Sequence, residues 1–170
     1  PNDADILAIA AGVDSREGRI ESATLKLERA REIDPRSAPT LVALQQNYIL
    51  QRRYTEARDV GQAAIALVPG DINIVQWQAM GYLGQGDLKG AREVIRAAID
   101  RGNPAPAVAA FFGGYQEVSW ALEDAERQLL FRLTPAAFDN DRAWWGQTMA
   151  IAYWQQGNSA AARAYADSAL

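Results

Sequence analysis

Apolar residues fall at helical spacing in short runs along this chain, and polar or helix-breaking residues separate the runs at regular intervals. Between 38 and 51, Leu41, Leu44, Tyr48 and Leu50 follow helical spacing. Between 54 and 67, Tyr54, Ala57, Val60, Ala64 and Leu67 do the same. Arg52-Arg53 forms a short turn between them. Pro69-Gly70-Asp71 ends the segment: proline breaks the helix, glycine tolerates positive φ, and Asp71 can cap the next N-terminus. The pattern predicts one helix–turn–helix with a break at its end.

The same grammar continues on both sides. Over 72–104, Val75, Ala79 and Tyr82 mark a first helix, Gly86-Asp87 the turn, and Leu88, Ala91, Ile95, Ala98 and Ile99 a second helix. Over 4–37, Ile6, Leu7, Ile9 and Ala10 mark a weaker first helix. Gly18 is the turn, Ile20, Ala23, Leu27, Ala30 and Ile33 lie on the second helix, and Ser37 is an N-cap for the helix after it. Over 105–141 the register loosens. Helices are expected at 105–118 and 120–133, with a turn near Val118-Ser119-Trp120 and a longer connection from Thr134 to Asp141. The segment 142–170 restores the pattern with Trp145, Met149, Ala150 and Tyr153, then Gly157, Ala162, Ala166 and Ala169.

A 34-residue period underlies these segments. Ala23, Ala57 and Ala91 are 34 apart, as are Ala30, Ala64 and Ala98, then Tyr48 and Tyr82, then Pro35 and Pro69. Amphipathicity alone keeps apolar character but not residue identity, so the period implies a stack of near-identical hairpins that cannot bury their apolar faces singly. Small residues at fixed places let antiparallel helices approach closely, and the recurring tyrosine fills the gap between successive hairpins. A larger residue at such a crossing would overpack it at about 1–3 kcal/mol per site. From Tyr82 to Tyr153 is 71 residues, two periods plus three, and the surplus is expected in the loop 134–141.

Composition narrows the chemistry. Hydrophobic residues make up 49% of the 170, enough for an extensive core, and the net charge of −4 argues against a nucleic-acid partner. Histidine and cysteine are absent, which removes the commonest general base, the commonest metal ligand, the thiol nucleophile and any disulfide frame. No apolar run is long enough for a membrane span. Arg outnumbers Lys fifteen to two, a codon-bias signature of a high-GC bacterial source. The chain opens on Pro1 rather than Met and ends on Leu170 inside a helical pattern, so it is expected to be a piece of a longer protein.

These residues resemble the tetratricopeptide repeat (TPR) family. Leu41, Leu44, Tyr48, Ala57, Ala64 and Pro69 carry the resemblance in the second repeat, and Tyr82, Gly86, Ala91, Ile95 and Ala98 in the third. Tyr153, Gly157, Ala162 and Ala169 carry it in the fifth. The first repeat matches through Gly18, Ala23, Leu27, Ala30 and Pro35, with Asp14 where an aromatic is expected. The fourth matches mainly through Phe112-Gly113 and Ala125, with Arg132 at a usually small site. The resemblance covers nearly the whole chain. It implies an all-α fold, an α-solenoid (a right-handed superhelix) of about five helix–turn–helix repeats, at about 4–37, 38–71, 72–104, 105–141 and 142–170 of a single domain.

The resemblance also implies a concave groove lined by the first helix of each repeat. Transferred here, the lining includes Gln46 and Ile49, then Asn73, Gln76, Trp77 and Met80. Phe111 comes next, then Trp144, Gln147, Ile151 and Trp154. Aromatic anchors flanked by amides suit an apolar or amphipathic segment of a protein or peptide partner. The same aromatics at helical spacing also read as core. The basic clamp that captures acidic C-terminal tails in some family members is missing, since only Asn73 has a suitable type. The function implied is a protein–protein interaction scaffold, without cofactor and without catalysis in the repeats. The alternative is a structural or regulatory repeat domain packing on another domain of a bacterial signalling or envelope-assembly protein, or self-associating through the C-terminal helix near Leu170.

Other constellations read as structure. Glu123, Asp124 and Glu126 flank an apolar face (Leu122, Ala125, Leu129) and are expected to face water. Asp139-Asn140-Asp141 starts like a calcium loop but lacks the glycine and glutamate that complete one, so it reads as a helix cap. Gly113-Gly114 is preceded by no strand and precedes no Gly-Lys-Ser/Thr, so close helix packing explains it.

Overall fold

A computed structural model describes residues 3–169. The readings placed on Pro1 and Leu170 lie outside the described residues. The described residues form eleven α-helices and one 3-10 turn, and no strand is present among them. The helices are α1 (Ala4–Arg16), α2 (Ile20–Ile33), α3 (Ala38–Leu50), α4 (Tyr54–Leu67), α5 (Ile72–Leu83), α6 (Leu88–Asp100), α7 (Ala105–Gly113), α8 (Gln116–Ser119), α9 (Asp124–Leu130), α10 (Arg142–Gln155) and α11 (Ser159–Ser168). The 3-10 turn is Pro135–Phe138. Two compact lobes divide between Ala91 and Arg92.

The 34-residue period reappears as backbone geometry. Gly18, Arg52, Gly86 and Gly157 all adopt positive φ, at 78°, 59°, 75° and 78°. Each closes the first helix of a hairpin, and each is separated by one residue from the start of the second helix. Gly157 lies 105 residues after Arg52, three periods plus three, so the register survives the insertion. Three of these turns use glycine, which enters the left-handed region freely; Arg52 does so against the clash of its Cβ.

Helix starts repeat as well. Asp3, Ser37 and Asp71 are spaced by 34 and cap α1, α3 and α5 through side-chain oxygens, Asp3 Oδ1 accepting from Asp5 N at 3.0 Å and Asp71 Oδ1 from Asn73 N at 2.9 Å. Asp141 caps α10 by accepting from Trp144 N at 2.9 Å, as the helix-cap reading of 139–141 requires.

In the first lobe α1 pairs with α2 and α3 with α4, α3 also packs on α2, and α5 lies against α3 and α4. Ala23, Ala30, Ala57, Ala64 and Ala91 are fully buried. Around them sit Leu27, Leu41, Leu44, Tyr48, Val60 and Ile74. Tyr48 reaches from α3 to α2, where its hydroxyl donates to Glu28 Oε1 at 2.7 Å, and the Arg53 guanidinium lies 4.3 Å over its ring. Tyr82 has Arg58 over its ring at 4.7 Å, and Gly90 leaves the space its ring occupies.

One crossing in this lobe is polar. Gln45 Nε2 donates to Gln78 Oε1 at 2.9 Å, and Gln78 Nε2 donates to the Arg58 carbonyl at 3.1 Å, joining α3, α5 and α4. Both amides are buried and lie over Gly61, whose missing side chain makes room for them. The close approach is therefore built from a glycine and two glutamines.

The second lobe departs from the expected helices. The first helix of the fourth repeat stops at Gly113 rather than running to 118, and α8 comes after it as a single short turn. Tyr115 is extended, at φ −107° and ψ 112°. Gly114 lies against the Trp144 indole and Gly113 against Leu130, so the glycines serve close packing, as expected, and also end the helix. The second helix is shorter too, starting at Asp124 behind a capping box formed by Glu123 and Glu126. Two of the three acidic residues thus hold a helix start, and the Asp124 side chain is fully exposed. Phe112, Val118, Leu122, Leu130, Phe138 and Met149 form this lobe's buried interior. Tyr153 stacks on Tyr165 at 5.3 Å between ring centroids and lies 4.8 Å from Phe131, so the third recurring tyrosine joins α10 to α11 and the end of α9.

Two stability measurements test this account. Arg52→Gly relieves a left-handed backbone that costs a non-glycine residue about 1 kcal/mol, so the urea midpoint should rise by the equivalent of about 0.5–1 kcal/mol; an unchanged or lowered midpoint contradicts it. Gly61→Ala should cost about 1–3 kcal/mol by overpacking the amide pair. In a Gln45→Ala background the same change should cost clearly less, and a double-mutant cycle showing additivity would remove the pair as the cause.

Candidate functional site

The residues predicted to line a groove fall into two groups, one in each lobe. In the first lobe Gln46 and Ile49 on α3 are half-buried, Trp77 and Met80 on α5 are half-buried, and Asn73 is exposed. Gln76 is buried at 8% exposure. Asn73 spends its amide locally, Nδ2 donating to Asp71 Oδ1 at 3.1 Å beside the cap of α5. Gln46 lines an open depression of about 560 Å³ with Val42, Ala43, Ile74, Val68 and Asp71. Its floor is aliphatic and its rim carries one amide and one carboxylate.

In the second lobe Phe111 packs its ring against Phe112 and Tyr115, at 5.6 and 5.1 Å between centroids. Trp144 meets Phe138 edge-to-face at 5.2 Å and shares an open depression of about 440 Å³ with Gly114, Tyr115, Gln116, Glu117 and Gln147. Gln147 is exposed, and its Nε2 donates to the Gly114 carbonyl at 3.5 Å, a long bond. Ile151 and Trp154 line a different depression of about 590 Å³, between α10 and α11, with Gln116, Ala150, Ala162, Arg163 and Ala166. Trp154 is 70% exposed there. Trp145 turns inward, its indole N–H donating to the Leu133 carbonyl at 3.1 Å and its ring meeting Tyr165. The aromatics the sequence left between core and surface therefore divide: Trp144 and Trp145 are half-buried, each against another ring, and Trp154 stands in solvent.

Sequence reasoning missed Tyr115 and Gln116. Hydrophobic spacing puts both in a continuous helix, and only the break after Gly113 turns them toward α10. Gly113-Gly114 was the available signal.

Ionisable groups respond to ion pairing and burial. Burial, and then its bond to Glu28, push the Tyr48 phenol up to about 12. The Arg53 bond to Glu56 holds that carboxyl below its ordinary value and raises the guanidinium. In the second lobe Arg96 pairs with Glu123 and Arg92 Nε donates to the Ala121 carbonyl at 3.3 Å, tying α6 to the segment before α9. Among the described residues no group of three metal-ligating side chains comes together. No helix among them is long and apolar enough to cross a membrane.

No protein-family model matches the chain, and no curated protein matches it. Solved structures do. The chain superposes on the MamA protein with a TM-score of 0.62 and 15% identity, covering 98% of this chain and 90% of that one. It superposes on pilF of Pseudomonas aeruginosa with a TM-score of 0.67 and 19% identity, covering 96% and 73%. For YrrB, described as a TPR protein with an unusual peptide-binding site, the TM-score is 0.56 at 18% identity, covering 99% and 85%. This likeness establishes the fold: the chain is an all-α helical repeat of the TPR type.

Asp14 occupies the place, one period before Tyr48, where the other repeats of the first lobe carry tyrosine. It is buried, and its carboxylate accepts from Ser22 Oγ at 2.6 Å, from Arg19 Nε at 3.1 Å and from Lys26 Nζ. Lys26, then Ser22 and Arg19, hold its carboxyl well below the usual carboxylate range. A depressed folded-state pKa stabilises the fold above the unfolded value, about pH 4, and that stabilisation fades as pH falls through the folded value. Asp14→Asn should therefore lower the urea midpoint at pH 7, and the gap from the native chain should narrow progressively below about pH 4. A gap that stays constant down to about pH 2 would show that the carboxylate charge is not the source.

Proposed function

We propose that this chain is a protein-interaction scaffold that receives an apolar or amphipathic segment of a partner along the first helices of its repeats. The observation that carries the reading is the depression at Trp144 and Gln147. Two aromatic rings, Trp144 and Tyr115, stand beside two amides, Gln116 and Gln147, on a surface open to solvent. Rings supply contact area with little side-chain entropy to lose, and an amide can both donate to and accept from an extended backbone. The aliphatic depression around Gln46 in the first lobe repeats the theme of an apolar floor with an amide at the rim. YrrB, which shares the fold, is described as having a peptide-binding site, and that supports a peptide as the ligand class here.

The mechanism is preorganisation. The Trp144 ring is held edge-to-face by Phe138 and lies against Gly114, so little ordering remains to be done on binding. A panel of labelled amphipathic peptides, each about four helical turns long, read by fluorescence anisotropy tests this. A binder from the panel should lose about tenfold in affinity against the Gln116→Ala/Gln147→Ala variant, two hydrogen bonds at about 0.5–1.5 kcal/mol each, while the thermal midpoint stays put. Equal affinity for both proteins, or no binder in the panel, overturns the assignment.

A further inference from the structure

Two tyrosines of the first lobe each carry an arginine over the ring. The Arg53 guanidinium lies 4.3 Å from the Tyr48 ring centroid, and that of Arg58 lies 4.7 Å from the Tyr82 centroid. At Tyr48 a carboxylate completes the arrangement. Glu28 Oε1 accepts from the Tyr48 hydroxyl and stands 3.6 Å from Arg53 Nη1. Ring and carboxylate act together on the cation: the negative face of the ring attracts it from one side, and the carboxylate balances its charge from the edge.

The depression at Trp144 and Gln147 has the rings and the carboxylate but no arginine. Tyr115 and Trp144 both line it. Each packs on a different ring, Tyr115 on Phe111 at 5.1 Å and Trp144 on Phe138 at 5.2 Å, and not on the other. Tyr115 is 39% exposed. Glu117 is exposed as well, and it is the one lining residue that carries a charge at neutral pH. Its carboxylate makes no hydrogen bond or ion pair with another described residue. Arg142, the only cation on α10, lies outside the lining. The positive end of α10 is offset by the Asp141 carboxylate that caps it.

We infer that this depression receives an arginine of the partner segment, its guanidinium between the Tyr115 and Trp144 rings and paired with Glu117. The inference rests on the peptide reading of the same site and adds the side chain that the site selects. Arginine suits it better than lysine. A flat guanidinium stacks on a ring while its edge donates to a carboxylate, and it is more weakly hydrated than an ammonium, so less is lost on leaving water. Gln116 and Gln147 are left for the backbone of the segment. An amphipathic segment supplies such an arginine at the border of its apolar face, where the aliphatic stem covers apolar surface and the charged head reaches past it.

The test makes each amphipathic peptide of the panel in two forms, with a single arginine or a single citrulline at the border of its apolar face. Citrulline keeps the shape and the planar end group but carries no charge. The arginine form should bind about tenfold tighter by fluorescence anisotropy, the combined effect of a cation on exposed rings and a surface ion pair. In Glu117→Gln the ratio of the two affinities should fall to about threefold or less, and in Tyr115→Leu, which keeps apolar contact but loses the π face, it should fall likewise. Glu117 is exposed, so the thermal midpoint of Glu117→Gln should match the unmodified chain. Equal affinity for the two forms overturns the inference, as does a tenfold ratio that survives in Glu117→Gln or in Tyr115→Leu. Equal binding of both forms leaves the peptide reading standing, whereas a panel without a binder overturns both.

Discussion

Close approach of helices is the constraint on which the rest of the structure depends. Two helices can share a hairpin tightly only where one presents little or no side chain to the other, and this chain places such positions 34 residues apart. Ala23, Ala57 and Ala91 form one set and Ala30, Ala64 and Ala98 another, and all six are fully buried. No single hairpin encloses them, since the shielding atoms come from a neighbouring helix. Stability is thus a property of adjacent pairs, summed along the chain, rather than of a central core.

The constraint fixes where helices meet but leaves open what fills the meeting. At Gly61 the filling is a pair of glutamines whose amides bond to each other, and at Gly90 it is the Tyr82 ring. At Asp14 an ion-paired carboxylate stands where the next two repeats put a phenol. Each solution satisfies the polar groups it buries, apart from Gln45 Oε1, which has no hydrogen-bond partner. A repeat can therefore drift far in sequence while keeping its backbone, which fits a fold shared with proteins at 15–19% identity.

This also explains what was legible in the sequence. Turns and caps were legible because backbone geometry restricts them to few residue types: glycine at positions 18, 86 and 157, and Asp or Ser at 37, 71 and 141. Arg52 is legible as a turn from its neighbours, although nothing in an arginine announces positive φ. The amide pair was not legible, since Gln45 and Gln78 lie one position out of the 34-residue register from each other and look like surface residues. The length of the fourth repeat's helices was not legible either. Hydrophobic spacing continues through Gly113-Gly114, while the close packing that stops the helix comes from Trp144 and Leu130, distant in sequence. The lining residues came from the resemblance alone, and helical spacing carried no information on how neighbouring helices would bury Gln76 or leave Trp154 in solvent.

An exposed tryptophan is informative because its burial is worth so much. Burying an aromatic side chain of this size contributes about 1.5–3 kcal/mol, so leaving Trp154 70% exposed forgoes a large gain that only a rearrangement of α10 would recover. The α10 backbone prevents that rearrangement. Met149 and Ala152 are committed to the interior, Tyr153 to its stack with Tyr165, and a helix cannot turn Trp154 inward without turning those out. The same logic holds on α1, where Leu7, Ala11 and Asp14 fix the inward face and so turn Ile6 and Val13 away from α2. In both helices the repeat geometry dictates an apolar surface before any partner is considered. A partner that covers such a surface gains the burial energy without having to distort the fold, because the side chains already point at it.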